Sequence, residues 1–171
     1  MAVVNTKATA ISNADARPNV LSPPHLTGNY IKQAVGTVEV ATSDSVGSVL
    51  RFARLRSSDR VSSIGLACDA LGGSAAAKVG LYRTQADGGA IVGTGEQFVT
   101  AAAAQTLVSA IKTFANIAYT SNDIANAEKR LWEVAGLSAD PGVDYDIALT
   151  LTAVASSAGT VSAHVAYVPG N

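Results

Sequence analysis

The chain reads as mainly β: a jelly-roll-like antiparallel β-sandwich over residues 35–171, with one short helix at about 121–135 and an extended N-terminal arm over residues 1–34. Three observations predict this. From Val35 onward apolar and polar residues alternate with period two, the signature of half-buried strands. The alternating runs are short and are separated by polar clusters such as "TSDS", "SSD" and "ADGG", which is the pattern of a sandwich or jelly roll. A single stretch carries a helical stripe with punctuation at both ends.

Residues 1–34 hold no sustained period and contain Pro18, Pro23, Pro24, Gly28 and several Asn, so they read as an extended arm. Such an arm recovers its ordering cost when it is laid across a neighbouring molecule. Its apolar runs are too short for a secretory signal, and nowhere do eighteen apolar residues follow one another as a membrane span needs.

The strands follow in order as "GTVEVA", "SVGSVLRF", "RVSSIGLACDA" and "AKVGLYRT". Residues 100–119 are ambiguous by period and are read as strand with irregular flanks. In "TSNDIANAEKRLWEVAGL" Thr120 can cap with Asp123, while Ile124, Ala127, Leu131 and Val134 form one apolar stripe. Gly136 followed by Leu137 supplies a left-handed stop, and Trp132 beside the stripe reads as a plug anchoring the helix to a sheet. Finally "YDIALTLTA" and "TVSAHVAYV" alternate on either side of "SSAG" and read as a hairpin with one wet face.

Composition narrows the function. Twelve Lys and Arg against thirteen Asp and Glu give a net charge of −1, unlike the basic balance of a nucleic-acid binder. Only 15% of residues are charged, and the 48% hydrophobic fraction is dominated by small side chains, since aromatics make up 5%. A surface so poor in charge suits one covered by neighbours, so copies are expected to associate as a homodimer or homotrimer. Cys68, the lone cysteine, falls in phase with Ile64 and Leu66 and reads as a buried, inert thiol.

The chemical motifs fail in detail. "LGGSAAAKVG" lacks the Gly-Lys-Ser/Thr that closes a phosphate loop, and "GTGEQF" has Phe98 where a dinucleotide fingerprint needs glycine. His25 and His164 have no Cys or carboxylate at metal-ligand spacing. Asp144 and Asp146 share a parity and could work as an acid and base pair, but their place just after "DPG" reads as a solvated strand edge. The expectation is a protein that is not an enzyme and takes no cofactor, metal, nucleic acid or membrane.

What stands out is "RFARLRSSDR", which puts Arg51, Arg54, Arg56 and Arg60 into ten positions. Leu50 and Phe52 share one parity and Leu55 the other, so the alternation slips near Ala53. A β-bulge or a strand bend at a sandwich corner does this and turns Arg51, Arg54 and Arg56 outward together, a geometry suited to carboxylates of a protein partner. The competing reading is a solvated strand end balanced by Asp44, Asp59 and Asp69.

The strings "GTVEVATSDSVGSVLRFARLRSSDRVSSIGLACDA", "AKVGLYRTQADGGAIV" and "IANAEKRLWEVAGLSADPGVDYDIALTLTA" resemble, in overall pattern over about residues 35–168, the small virion structural proteins of tailed bacteriophages, in particular head decoration or cement proteins. The resemblance implies a jelly-roll or related sandwich, made in the host cytoplasm, that binds the outside of the capsid, bridges major capsid proteins and stabilises the shell. The alternative is a phage tail or fibre-associated β module that binds a carbohydrate or another virion protein.

Overall fold

The computed structural model describes residues 6–23, 26, 30–117 and 126–170. Eight strands build two antiparallel sheets: β1 (Lys32–Val40), β2 (Val49–Arg56), β3 (Arg60–Cys68), β4 (Ala76–Arg83), β5 (Gln105–Thr106), β6 (Ile111–Asn116), β7 (Asp144–Ala153) and β8 (Gly159–Val168). One sheet has the order β1-β8-β3-β6 and the other β2-β7-β4-β5. Strand 1 thus lies beside 8, 2 beside 7, 3 beside 6 and 4 beside 5, and these pairs alternate between the sheets. That is the connectivity of one long hairpin rolled up on itself, the jelly-roll order.

The core lies between the sheets and follows the period-two pattern. Leu50, Leu55, Ile64, Leu66, Val79, Leu81, Ile147, Leu149, Val161 and Val165 all point inward and are almost fully buried. Residues 100–119 form strand as expected at β5 and β6, with turns between them, up to the last described position, Ile117.

Two expectations about local structure need correction. β7 and β8 alternate as predicted, yet they are not a hairpin: β7 pairs with β2 and β4, and β8 with β1 and β3. The N–H groups of Ser156 and Ser157 both donate to the Leu71 carbonyl, at 3.0 and 2.9 Å, which pins the connection as it crosses from one sheet to the other. Alternation reports which face a residue takes and not which strand lies beside it. β7 is also buried on both faces from Tyr145 to Leu151. Small residues explain this, because Gly80 and its ladder partner Ala148 leave room on the outer face for the loop at Gly95, whose backbone a Cβ on Gly80 would strike.

The helix predicted at about 121–135 contracts to a single turn, α2 (Leu131–Val134), and its earlier part, with Thr120, Asp123 and Ile124, falls outside the described residues. Tertiary contacts stop the turn from extending backward. Arg130 is in an extended conformation, and the N–H groups of Leu131 and Trp132 donate to Asp59 O (2.8 Å) and Ser57 O (3.0 Å) in the β2–β3 turn. Leu131, fully buried, is the plug that Trp132 was expected to be, while Trp132 stays half-buried. Gly136 does take the left-handed conformation expected of the stop, with φ of +79°. The arm contains a helix that the sequence reading did not foresee, α1 (Thr9–Asp15), which buries no residue, lacks a side-chain cap and ties its end back through Lys7 to Asp15 at 2.6 Å. Among the described residues no helix is long and apolar enough to cross a membrane.

The slip near Ala53 is real: the β2–β7 register shifts between Arg51 and Ala53, which leaves Phe52 as the extra residue of a bulge. The bulged backbone presses against β1 at Gly36, where an added Cβ would strike the Phe52 carbonyl. Gly36→Ala is therefore expected to lower stability by about 1–3 kcal/mol, since main chain and not a flexible side chain has to move. Urea unfolding of the variant beside the wild type measures this.

Candidate functional site

Because the bulge adds one residue, Arg51 and Arg54 come onto the same outer face of the sheet, over Asp146. Arg51 Nη1 donates to Asp146 Oδ2 at 2.9 Å, and Arg54 donates through Nε to Oδ1 at 2.8 Å and through Nη2 to Oδ2 at 3.3 Å. Arg51 is committed further, to the carbonyls of Arg83 (2.8 Å) and Gly89 (2.9 Å), and its guanidinium lies 5.4 Å from the Tyr82 ring centre. Asp146 is 4% exposed. Burial pushes its carboxyl pKa up, but the hydrogen bonds and charges of Arg54 and Arg51 outweigh that and hold it below the ordinary carboxylate value. Two of the four arginines thus meet an acid supplied by their own chain.

That acid is none of the three that the sequence suggested. The Asp44 carboxylate accepts Ala41 N–H (3.0 Å), that of Asp59 accepts Arg56 N–H (3.0 Å) and Gly170 N–H (2.9 Å), and that of Asp69 accepts Thr160 N–H (2.9 Å). Asp44 and Asp59 brace turns by taking a backbone donor three residues back, and Asp69 ties the end of β3 to the start of β8. Asp144 and Asp146 share a face as their parity predicted, but they are not equivalent: Asp144 is exposed opposite Arg56 in the ladder, and Asp146 is clamped.

The other two arginines of the run differ in their surroundings. Arg60 donates to Ala127 O at 3.1 Å. Among the described residues the exposed Arg56 guanidinium has no hydrogen-bond or ion-pair partner. It stands on a ridge between two clefts. One, of about 540 Å³, is lined by Lys32, Arg54, Arg56, Asp59, Asp144 and Tyr167 among others. The second, of about 380 Å³, lies between Arg56, Ser57, Asp140 and Asp144. Of the cations lining the larger cleft Arg54 is already paired with Asp146, which leaves Lys32 and Arg56 beside Asp144 and the buried Asp59, and Arg56 is the cation there that an anionic group can still engage. Lys32, whose ammonium lies 5.3 Å from the Tyr30 ring centre, and Tyr167 were not singled out from the sequence. The only local signal was that β1 begins with a lysine and β8 carries a tyrosine next to its last residue, and that becomes a site only once the two strands are known to be neighbours.

The other candidates resolve into packing. His25 falls outside the described residues. His164 lies on the outer face between Val35 and Gly65 of the flanking strands, its ring over the position that a Gly65 side chain would need, and Phe114 meets it edge-on at 4.9 Å. Among the described residues no three His, Cys, Asp or Glu side chains are grouped to hold a metal ion. Burial pushes the Cys68 thiol pKa up, and its Sγ faces the Ser109 carbonyl at 3.9 Å, so the thiolate is disfavoured as the pattern suggested.

No protein-family model matches the chain, and no curated protein does. Among solved structures, a chain of the "Cyanophage Pam1 capsid asymmetric unit" is similar, with 15% sequence identity over 98% of this chain and 99% of that one at a TM-score of 0.49.

The clamp predicts a pH signature. Asp146→Asn should cost about 1.5–3 kcal/mol at neutral pH, since it removes charged hydrogen bonds at a buried group. Because the folded carboxyl pKa is depressed, its contribution is complete above the unfolded value of about 3.9 and is lost as pH falls through the lower folded value. The stability gap between wild type and variant should therefore be widest near about pH 7 and narrow as the pH falls below about 3.9, as measured by denaturant unfolding across an acid series.

Proposed function

We propose that the chain is a non-enzymatic structural protein of a bacteriophage virion that binds the outside of the capsid, bridges neighbouring major capsid proteins and stabilises the head, acting as a homodimer or homotrimer. The observation that supports this reading is the exposed Arg56, without a side-chain partner among the described residues, on the ridge between two clefts. The strand fixes the Arg56 backbone, so only side-chain freedom is given up when a carboxylate of the coat meets it. Each exposed pair is worth only about 0.2–1 kcal/mol, so firm attachment depends on several copies and several contacts acting together. The sequence resemblance to decoration proteins points the same way. A carbohydrate-binding tail module remains the alternative, and the surface that would serve it is Phe114, 47% exposed on the outer face of its sheet.

The clean probe is Arg56, because Arg51 and Arg54 also hold Asp146. Arg56→Glu should leave the melting temperature unchanged, lower occupancy on purified heads and make the residual binding less sensitive to salt. Wild-type protein that stays off heads, or a variant that occupies them as fully as wild type at every salt concentration, would overturn the proposal. Capture by a glycan array that is lost on Phe114→Ala would establish the carbohydrate reading in its place.

A further inference from the structure

Hydrogen bonds within the arm shape it into a hook. The Val20 N–H donates to the Asn13 carbonyl (3.2 Å), the Asn13 side-chain amide to Ser22 Oγ (3.3 Å) and that of Asn19 to the Ala14 carbonyl (3.4 Å), while Lys7 closes on Asp15. The apolar side chains are left outside. Ile11, Val20 and Leu21, the large aliphatic residues between positions 6 and 23, are 54%, 50% and 93% exposed, and no residue of α1 is buried. An ordered segment that turns its own apolar side chains to water is an anchor whose socket lies elsewhere.

The same chain carries a socket. On the outer face of the β2-β7-β4-β5 sheet Val46, Val49, Tyr82, Ile91 and Thr150 line a groove of about 520 Å³. Its walls are apolar and open, with Val46 58% and Ile91 45% exposed. A cavity of about 150 Å³ holds a benzene ring, so the groove has room for Val20 and Leu21 together. Charge agrees as well. Among the described residues Lys78 is the only charged one lining the groove, and Glu96 neutralises it at 3.2 Å. The stretch that would enter, "PNVLSP" at 18–23, carries no charge either.

The arm and the groove belong to opposite ends of the sandwich. The arm joins at Lys32, in the cleft with Arg56 and Asp144, where β1 starts, β2 ends and β7 starts. The groove takes in Val49, where β2 starts, and Thr152 near the end of β7. To fill its own groove the arm would fold back along β1, and Leu21 stands in water instead. Two copies lying antiparallel about a twofold axis bring the arm end of each to the groove end of the other, and exchange of an identical element closes the pair. A threefold axis along the strands would hold every arm at one end and every groove at the other.

We propose that two copies of this chain exchange arms, the hook of each seating Val20 and Leu21 in the groove at Val46 and Val49 of the other. This deepens the preceding reading by naming the contact between copies, and it rests on that reading only for the presence of more than one copy. It concerns the free protein, so head occupancy and self-association are separate measurements.

Leu21→Glu and Val46→Lys test it in the full-length chain. Both residues face solvent, so each variant should keep the wild-type circular dichroism and melting profile. Sedimentation over a concentration series should show a wild-type dimer, and either variant alone, with both of its contacts altered, should have a dissociation constant raised at least about tenfold. An equal mixture of the two should dimerise more tightly than either alone, because the mixed pair keeps one unaltered contact and sets Glu against Lys in the other. A wild type that is monomeric at every concentration, a wild type that sediments as a trimer, variants that dimerise like wild type, or a mixture no tighter than its components would overturn the proposal. Should a variant fail to fold, Leu21→Cys and Val46→Cys are oxidised in its place. A covalent dimer that forms when these two are mixed and not from either alone supports the exchange, and any other pattern overturns it.

Discussion

The single inserted residue at Phe52 governs most of what this molecule presents to its surroundings. Were Phe52 accommodated as a regular, paired strand residue, Arg51 and Ala53 would share one face and Arg54 the other, and at least one arginine would point into the core. With it, Leu50, Ala53 and Leu55 all remain buried while Arg51 and Arg54 reach the same carboxylate. The bulge also pushes main chain toward β1, and only a glycine at position 36 accepts the approach. One irregularity thereby couples the two sheets at their open side and organises the charge there. The clamp on Asp146 follows from it, since β7 supplies the acid opposite Arg54 in the ladder.

This clamp is better understood as a device of specificity than of net stability. Burying Asp146 costs desolvation that two guanidiniums offset, and such arrangements are often matched in energy by apolar substitutes. What an apolar substitute lacks is register. A slip of β2 by one residue along β7 would leave Asp146 buried and unpaired, a large penalty in a sheet whose inward residues are otherwise mostly Leu, Ile, Val and Ala. An aliphatic core that is undemanding about which side chain sits where is therefore complemented by one polar contact that is demanding.

The sequence disclosed those features that depend on local period and lost those that depend on partners. The strands, the slip near Ala53 and the glycine stop at Gly136 are all local signals, and each is found where the pattern put it. The pairing of β7 and β8 with other strands left no local trace, because alternation is identical whichever neighbour a strand takes. The shortening of the helix has a similar origin: the apolar stripe was present, but the first N–H groups of the turn are taken by carbonyls of the β2–β3 turn. Likewise the parity of Asp144 and Asp146 was legible, and their division into an exposed and a clamped carboxylate was not, since burial on the outer face comes from a loop that packs where Gly80 and Ala148 leave space.

The same distinction explains where free chemistry is left over. Among the described residues Asp44, Asp59, Asp69 and Asp146 each accept hydrogen bonds from within the chain, and Arg51 and Arg54 are paired. Polar groups satisfied internally hold the fold and recruit nothing. Against that background Arg56, an arginine without a side-chain partner among the described residues, at the rim of a cleft, still has bonds to make. Lys32, which opens β1, lines the same cleft. An acidic group that met Arg56 from outside would therefore approach a second cation supplied by a neighbouring strand end, the arrangement in which weak ion pairs add into firm attachment.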